Sequence, residues 1–179
     1  MGERSPTISP WSQNMPQWKN AFLNSLEPDL ETEEDFEFGP PATDGELAQL
    51  EAGISAKIPE DVRHLLREFN GVKRLAYGEK EPYFFNTQEI PEAIEVYRDW
   101  DQPTDQLMQW SRNILYVCQE NGFSVMWGVV IRPFGPFEYG QIVAFDHDRI
   151  RNAENPDELF VVPYSRLIDL VQADWKEST

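Results

Sequence analysis

The stretch from Thr43 to Gly71, TDGELAQLEAGISAKIPEDVRHLLREFNG, is the most heavily punctuated part of the chain, and it dictates two short helices separated by a turn. Thr43 and Glu46 have the spacing of a capping box, in which each side chain satisfies a backbone N–H that the helix leaves orphaned. Leu47, Leu50 and Ile54 then share one helical face, and Gly53 lies where a helix of this length is expected to end. Pro59 suits the first position of the next helix, because its missing N–H would be unbonded there anyway. Glu60 and Asp61 follow in the first turn, where the helix dipole favours negative charge. Val62, Leu65, Leu66 and Phe69 form the apolar stripe, and Asn70-Gly71 supplies a left-handed stop.

The order of these pieces resembles the SUKH superfamily, which includes bacterial immunity proteins and fungal cell-wall-assembly regulators. The matching residues are the Leu47/Leu50-Glu51 helix, Ile58-Pro59-Glu60 where the family usually has Leu-Pro, and Phe69-Asn70-Gly71 closing the second helix. Trp18 with Leu23 and Leu26 is similar to the family's N-terminal helix, so the resemblance extends from Trp18 to Trp175. It brings no catalytic signature with it.

At 179 residues the chain suits one domain with a sizeable core. A net charge of −17 is large for that size, but 40% hydrophobic and 13% aromatic content argues against disorder. Thirty-two acidic against fifteen basic residues oppose nucleic-acid binding, which needs a cationic surface, and adhesion to an anionic membrane. The same balance suits a basic protein partner. One cysteine excludes an intramolecular disulfide and a cysteine-based zinc cluster. The first residues lack an apolar run of signal-peptide length, and Val125 to Ile131, the longest apolar run, is too short to span a bilayer. A soluble, cytoplasmic protein is the expectation.

Along the chain, residues 1–14 read as a loose tail ahead of a single domain over 15–176. Trp18, Phe22, Leu23 and Leu26 have helical spacing, ending at Pro28. Residues 27–41 read as a solvated acidic connector, with seven acidic side chains between Glu27 and Glu37. Tyr83-Phe84-Phe85 reads as a short strand, followed by a helix opening near Pro91 with Ile90, Ile94 and Tyr97 on one face. Gln102 to Asp105 reads as a turn. Ile114–Glu120 and Phe123–Ile131 flank Asn121-Gly122, a strong hairpin signal, and two-residue pairing predicts Cys118 opposite Val125 and Tyr116 opposite Trp127. Strict alternation puts Phe123, Val125, Trp127, Val129 and Ile131 on one face. After the break at Pro133, Gly135 and Pro136, strands are expected over Gln141–Phe145 and Leu159–Val162. A closing helix over Tyr164–Trp175 would turn Leu167, Ile168, Val171 and Trp175 inward. The fold class is therefore α+β: a mostly antiparallel sheet with N- and C-terminal helices packed on one face, as the SUKH resemblance also implies.

Catalytic groups do not assemble in the sequence. Asp146-His147-Asp148 has metal-ligand chemistry, but alternation along a strand turns His147 away from both aspartates. His64 sits on the second helix beside the apolar stripe. Cys118 reads as a buried small residue, since a reactive thiol needs a cationic setting. Gly135-Pro136 lacks the N–H donors of a phosphate loop, and no Gly-x-Ser-x-Gly elbow occurs. No metal and no cofactor are expected. The aromatics point elsewhere: six Trp, six Tyr and eleven Phe exceed what one small core readily needs. Trp127, Phe134, Phe137 and Tyr139 gather around the Pro/Gly break with Glu138, Asp146 and Asp148 nearby in sequence, and aromatics rimmed by acids suit a basic protein partner. The expected function is non-enzymatic protein binding. The resemblance implies an immunity protein that neutralises a cognate toxin, often a nuclease, with a regulator or scaffold of the cell-wall type as the alternative. A small metal-dependent hydrolase using Glu138, Asp146 and His147, and a ligand-binding domain with an aromatic pocket, are the readings from other classes.

Overall fold

A computed structural model of the chain describes residues 17–26, 31–76, 78–93, 105–119, 125–146, 155–164 and 166–172. In chain order the elements are α1 (Trp18–Leu23), β1 (Phe36–Phe38), α2 (Asp44–Ile54), α3 (Glu60–Glu68), β2 (Val72–Ala76), β3 (Glu79–Phe84), α4 (Glu89–Ala93), α5 (Asp105–Ser111), β4 (Ile114–Gln119), β5 (Val125–Val130), β6 (Ile142–Asp146), α6 (Pro156–Leu159), β7 (Phe160–Tyr164) and α7 (Leu167–Val171). The seven strands form one antiparallel sheet in sequence order, β1 to β7. The α+β class read from the sequence is the one observed.

The capping box forms as expected: the Glu46 N–H donates to Thr43 Oγ1 at 3.2 Å, and the Thr43 N–H donates to Glu46 Oε2 at 2.7 Å. Helix α2 runs past Gly53, however, and ends at Ser55, whose φ is +52°. The reason is tertiary. The Arg132 guanidinium, arriving from beyond β5, donates to the Ile54 and Ser55 carbonyls at 2.6 and 2.8 Å, satisfying C-terminal groups that the helix cannot. Pro59 is the residue just before α3, one position earlier than expected, and α3 ends at Glu68 with Phe69 already extended (φ −150°), so the left-handed Gly71 (φ +89°) leads into β2 instead of capping the helix.

Glu51 ties the two helices together across the turn. Its carboxylate accepts from the Ile58 N–H at 3.2 Å, from Lys57 Nζ at 2.7 Å and from the Arg63 guanidinium. Leu47, Leu50, Ile58, Val62, Leu65, Leu66 and Phe69 all lie in the core. Helix α1 is too short to persist alone. Glu68 holds it by accepting the Trp18 and Lys19 N–H groups at 2.8 and 2.9 Å, while Trp18 and Phe22 are buried.

The acidic connector needs correction, because its end is strand β1. Phe36 and Phe38 stack edge-on against Phe22, with ring centroids 5.0 and 5.7 Å away, and β1 pairs with β2. Strand β2 also escaped the sequence reading, and β3 starts earlier than Tyr83, because adjacent charged side chains, Lys73-Arg74 in β2 and Glu79-Lys80-Glu81 in β3, interrupt any apolar alternation. Helix α5 occupies the region beginning at the expected turn residue Asp105.

The β4–β5 register also differs. Cys118 faces Trp127, and Tyr116 faces Gly128, with a bulge between Tyr116 and Cys118. Gly128 fits this register, since a Cβ there would collide with Ile114 Cγ2 and the Leu115 carbonyl. Asn121-Gly122 lies outside the described residues. Leu159 closes α6 instead of opening the last strand, and α7 starts at Leu167 with Leu167, Leu170 and Val171 buried.

The pairings define two faces. Phe84, Cys118, Trp127 and Ala144 form a row across four strands, and Phe22 of α1 packs on Phe84 at 5.8 Å. Helices α3 and α7 both contact α1. The row beside it, Gln119, Met126, Phe145 and Phe160, lies on the opposite face. All six residues of β4 are buried, so its two faces are both covered.

Candidate functional site

The connection from β5 to β6, residues 131–141, folds back as two tight turns on the face opposite α1. Phe134 and Phe137 exchange both backbone hydrogen bonds, at 3.1 and 2.9 Å, around Gly135-Pro136. Gly135 has φ +51°, and a Cβ there would lie 2.6 Å from Pro156 Cγ, so the turn demands glycine twice over. The second turn is closed by Gln141, whose N–H reaches the Glu138 carbonyl at 3.2 Å while its Oε1 accepts the Glu138 N–H at 2.8 Å. Tyr139 projects from its tip, 52% exposed, beside the exposed Glu138.

Phe134 and Phe137 anchor this connection on the sheet. Their centroids are 5.1 Å apart, and they stand 5.5 and 6.0 Å from Phe160, which packs on Phe145 at 5.7 Å. Phe137 is buried and Phe134 half-buried. The expected aromatic group therefore divides. Phe134 and Phe137 come together, Tyr139 reaches solvent, and Trp127 is buried on the other face of the sheet, where it faces Cys118 and Ala144. Alternation separates it from Phe145, information that a list of nearby sequence positions lacks. Asp146 ends β6 opposite Val125, and His147 and Asp148 lie outside the described residues.

Two elements that the sequence reading left out frame the connection. Helix α6 brings Pro156 against Gly135, and the exposed Asp157 is the next residue of that helix. Its start was legible, since Asn155 and Glu158 have capping-box spacing around a proline, and Asn155 N–H and Nδ2 both donate to the Glu158 carboxylate. Helix α5 provides the other wall. Asp105, Gln109, Trp110 and Asn113 face Pro133 and Phe134 across an open cleft of about 660 Å³. The Asn113 carbonyl accepts the Ile131 and Arg132 N–H groups at 2.8 and 3.3 Å, and the Arg132 guanidinium donates to the Arg112 carbonyl at 2.9 Å, so the two walls are joined.

The electrostatics are weighted toward negative charge, although Arg112 and Arg132, next in sequence to Asn113 and Pro133, make no salt bridge among the described residues. Lys19, Lys57, Arg63, Arg67, Arg74, Lys80 and Arg166 are each ion-paired to a carboxylate elsewhere. Asp105, Glu138 and Asp157 have no salt-bridge partner among the described residues. No group of three potential metal ligands converges among the described residues. Burial pushes the Cys118 thiol well above its ordinary value and the Tyr116 phenol up as well, the latter opposed by the Ser111 hydroxyl. Both are thereby held protonated, which suits packing.

The model of the SMI1 / KNR4 family (SUKH-1) matches residues 41–163, more than half of the chain. The chain belongs to the SUKH-1 family. The match runs from just before α2 into β7, so it takes in the helix pair and the whole β5–β6 surface of this SUKH-1 domain, while α1, β1 and α7 lie outside it. A search of curated proteins found no match. Among the described residues, no helix of the SUKH-1 protein is long and apolar enough to cross a membrane.

Proposed function

We infer that this SUKH-1 protein is a non-enzymatic, cytoplasmic binding protein that neutralises a basic toxin domain by docking on it. The observation that carries this reading is the surface on the β5–β6 connection: exposed Tyr139 and half-buried Phe134, with the carboxylates of Asp105, Glu138 and Asp157, which make no salt bridge among the described residues. Aromatic side chains offer large contact area at small entropic cost, and unpaired carboxylates attract and orient a cationic partner. Two hydrogen-bonded turns hold these groups in place before any partner arrives, which lowers the ordering cost of binding.

The test is co-expression with the product of the adjacent reading frame. The expected outcome is that the SUKH-1 protein restores growth of cells making a basic, toxic neighbour and co-purifies with it in fixed stoichiometry. The paired substitutions Tyr139→Ala and Glu138→Lys should abolish both effects while leaving the thermal transition of the free protein in place. Rescue that survives both changes would move the docking face elsewhere. Stable binding of non-toxic envelope or signalling proteins, with no effect on a toxin, would replace neutralisation by a regulator's role.

A further inference from the structure

The cleft between α5 and the β5–β6 connection has a chemistry of its own. Its walls are two half-buried aromatic side chains, Trp110 and Phe134, with Pro133 between the walls' ends. Asp105 is the only ionisable side chain among its described lining residues. Gln109 lies four residues on from Asp105, so the two share a helical face. Asn113 donates through Nδ2 to the Gln109 carbonyl at 3.2 Å, which leaves its amide oxygen as the end available to a donor. The nearby Arg132 keeps its charge, but its guanidinium donors are taken up by the carbonyls of Ile54, Ser55 and Arg112 and none is spent on Asp105.

Resting on the docking reading above, we propose that this cleft is a subsite for an arginine side chain of the protein partner. A guanidinium is planar, weakly hydrated and stacks on aromatic faces, and its fork of N–H donors matches a carboxylate flanked by amide oxygens. Charge complementarity favours a cation, since a chain of net charge −17 presents here a carboxylate with no salt bridge among the described residues. The same charge disfavours a second copy of this chain as the occupant. The cleft is also preformed: the Asn113 carbonyl grips the Ile131 and Arg132 N–H groups, and Phe134 is clamped by Phe137 and Phe160. An arginine entering it thus finds its acceptors already placed.

The subsite can be probed on the full chain without any partner. N-acetyl-arginine amide is titrated while ¹H–¹⁵N spectra follow the Trp110 indole and the Gln109 and Asn113 side-chain amides. N-acetyl-citrulline amide serves as the uncharged isostere and N-acetyl-lysine amide as the alternative cation. Saturable shifts of those three groups with the arginine derivative are expected, with much weaker ones for the lysine and citrulline derivatives. Asp105→Asn, at an exposed position, should weaken binding about three- to fivefold, as loss of an exposed ion pair does, whereas Glu79→Gln on β3 should change nothing. Equal response to citrulline, or no saturable shift at Trp110, overturns the proposal. An equal response to lysine overturns the arginine assignment. These results stand apart from the co-expression test: an empty cleft on a protein that still neutralises a toxin removes only the subsite, and a filled cleft without neutralisation removes only the biological reading.

Discussion

At the scale of single residues, Glu51 shows how one carboxylate fixes the relation of two helices. Its side chain is 11% exposed, and it gathers Lys57, the Ile58 N–H and Arg63. The Lys57 ammonium first, then the Ile58 N–H and the two cations' charge, hold its carboxyl below the ordinary range, against the opposing effect of burial. A depressed folded-state value contributes stability that is complete above the unfolded carboxylate value and is lost as pH falls through the folded one. Glu51→Gln should therefore cost about 1–2 kcal/mol at neutral pH. The gap between the two proteins should hold down to about pH 5 and close below about pH 4 in urea titrations. A gap unchanged down to acid pH would assign the loss to shape alone. Gly135 invites a second test. Gly135→Ala forces a side chain into a left-handed conformation and against Pro156, with an expected loss of about 1–3 kcal/mol in denaturant unfolding. Adding Pro156→Ala should recover only the part due to collision, so the double-mutant cycle separates contact from backbone strain.

At the scale of elements, what could be read from the sequence depended on whether the determinants were local. The capping box at Thr43 and the buried Val62-to-Phe69 stripe are local, and they stand where they were expected. The end of α2 was missed because Arg132, seventy-seven residues beyond Ser55, supplies its cap. Strand β1 was missed because what orders it is Phe22 on another element, which no period-2 pattern reveals. The site splits the same way. The tight turn at Gly135-Pro136 was legible, but which face of the sheet Trp127 and Phe134 each occupy follows from a bulged register between strands that local patterns do not encode. Long-range capping also governs α1. Glu68→Ala removes the acceptor of the Trp18 and Lys19 N–H groups, and a six-residue helix has little stability of its own. Amide exchange over residues 18–24 should accelerate by about an order of magnitude, with α2, α3 and the sheet unchanged. Uniform acceleration would mean that α1 unfolds only with the whole domain.

At the scale of the whole molecule, the excess of acid raises the question of whether net charge or its placement attracts a partner. Net charge acts at a distance in every orientation, whereas Asp105, Glu138 and Asp157 act only where the β5–β6 surface faces the partner. Salt separates these contributions from apolar contact, because the Debye length shortens from about 30 Å at 0.01 M to about 10 Å at 0.1 M ionic strength. Association with a basic toxin domain should slow by at least about tenfold across that range, while dissociation changes much less. Glu138→Gln and Glu79→Gln remove the same charge, one on the proposed face and one on the β2–β3 hairpin, and both positions are exposed. Stopped-flow association should show the Glu138 variant slower, with a shallower salt slope, and the Glu79 variant close to the parent. Equal slowing in both variants would make the attraction a property of total charge and strip the β5–β6 surface of its steering role. Unequal slowing in the opposite sense would move the docking face to the hairpin edge of the sheet.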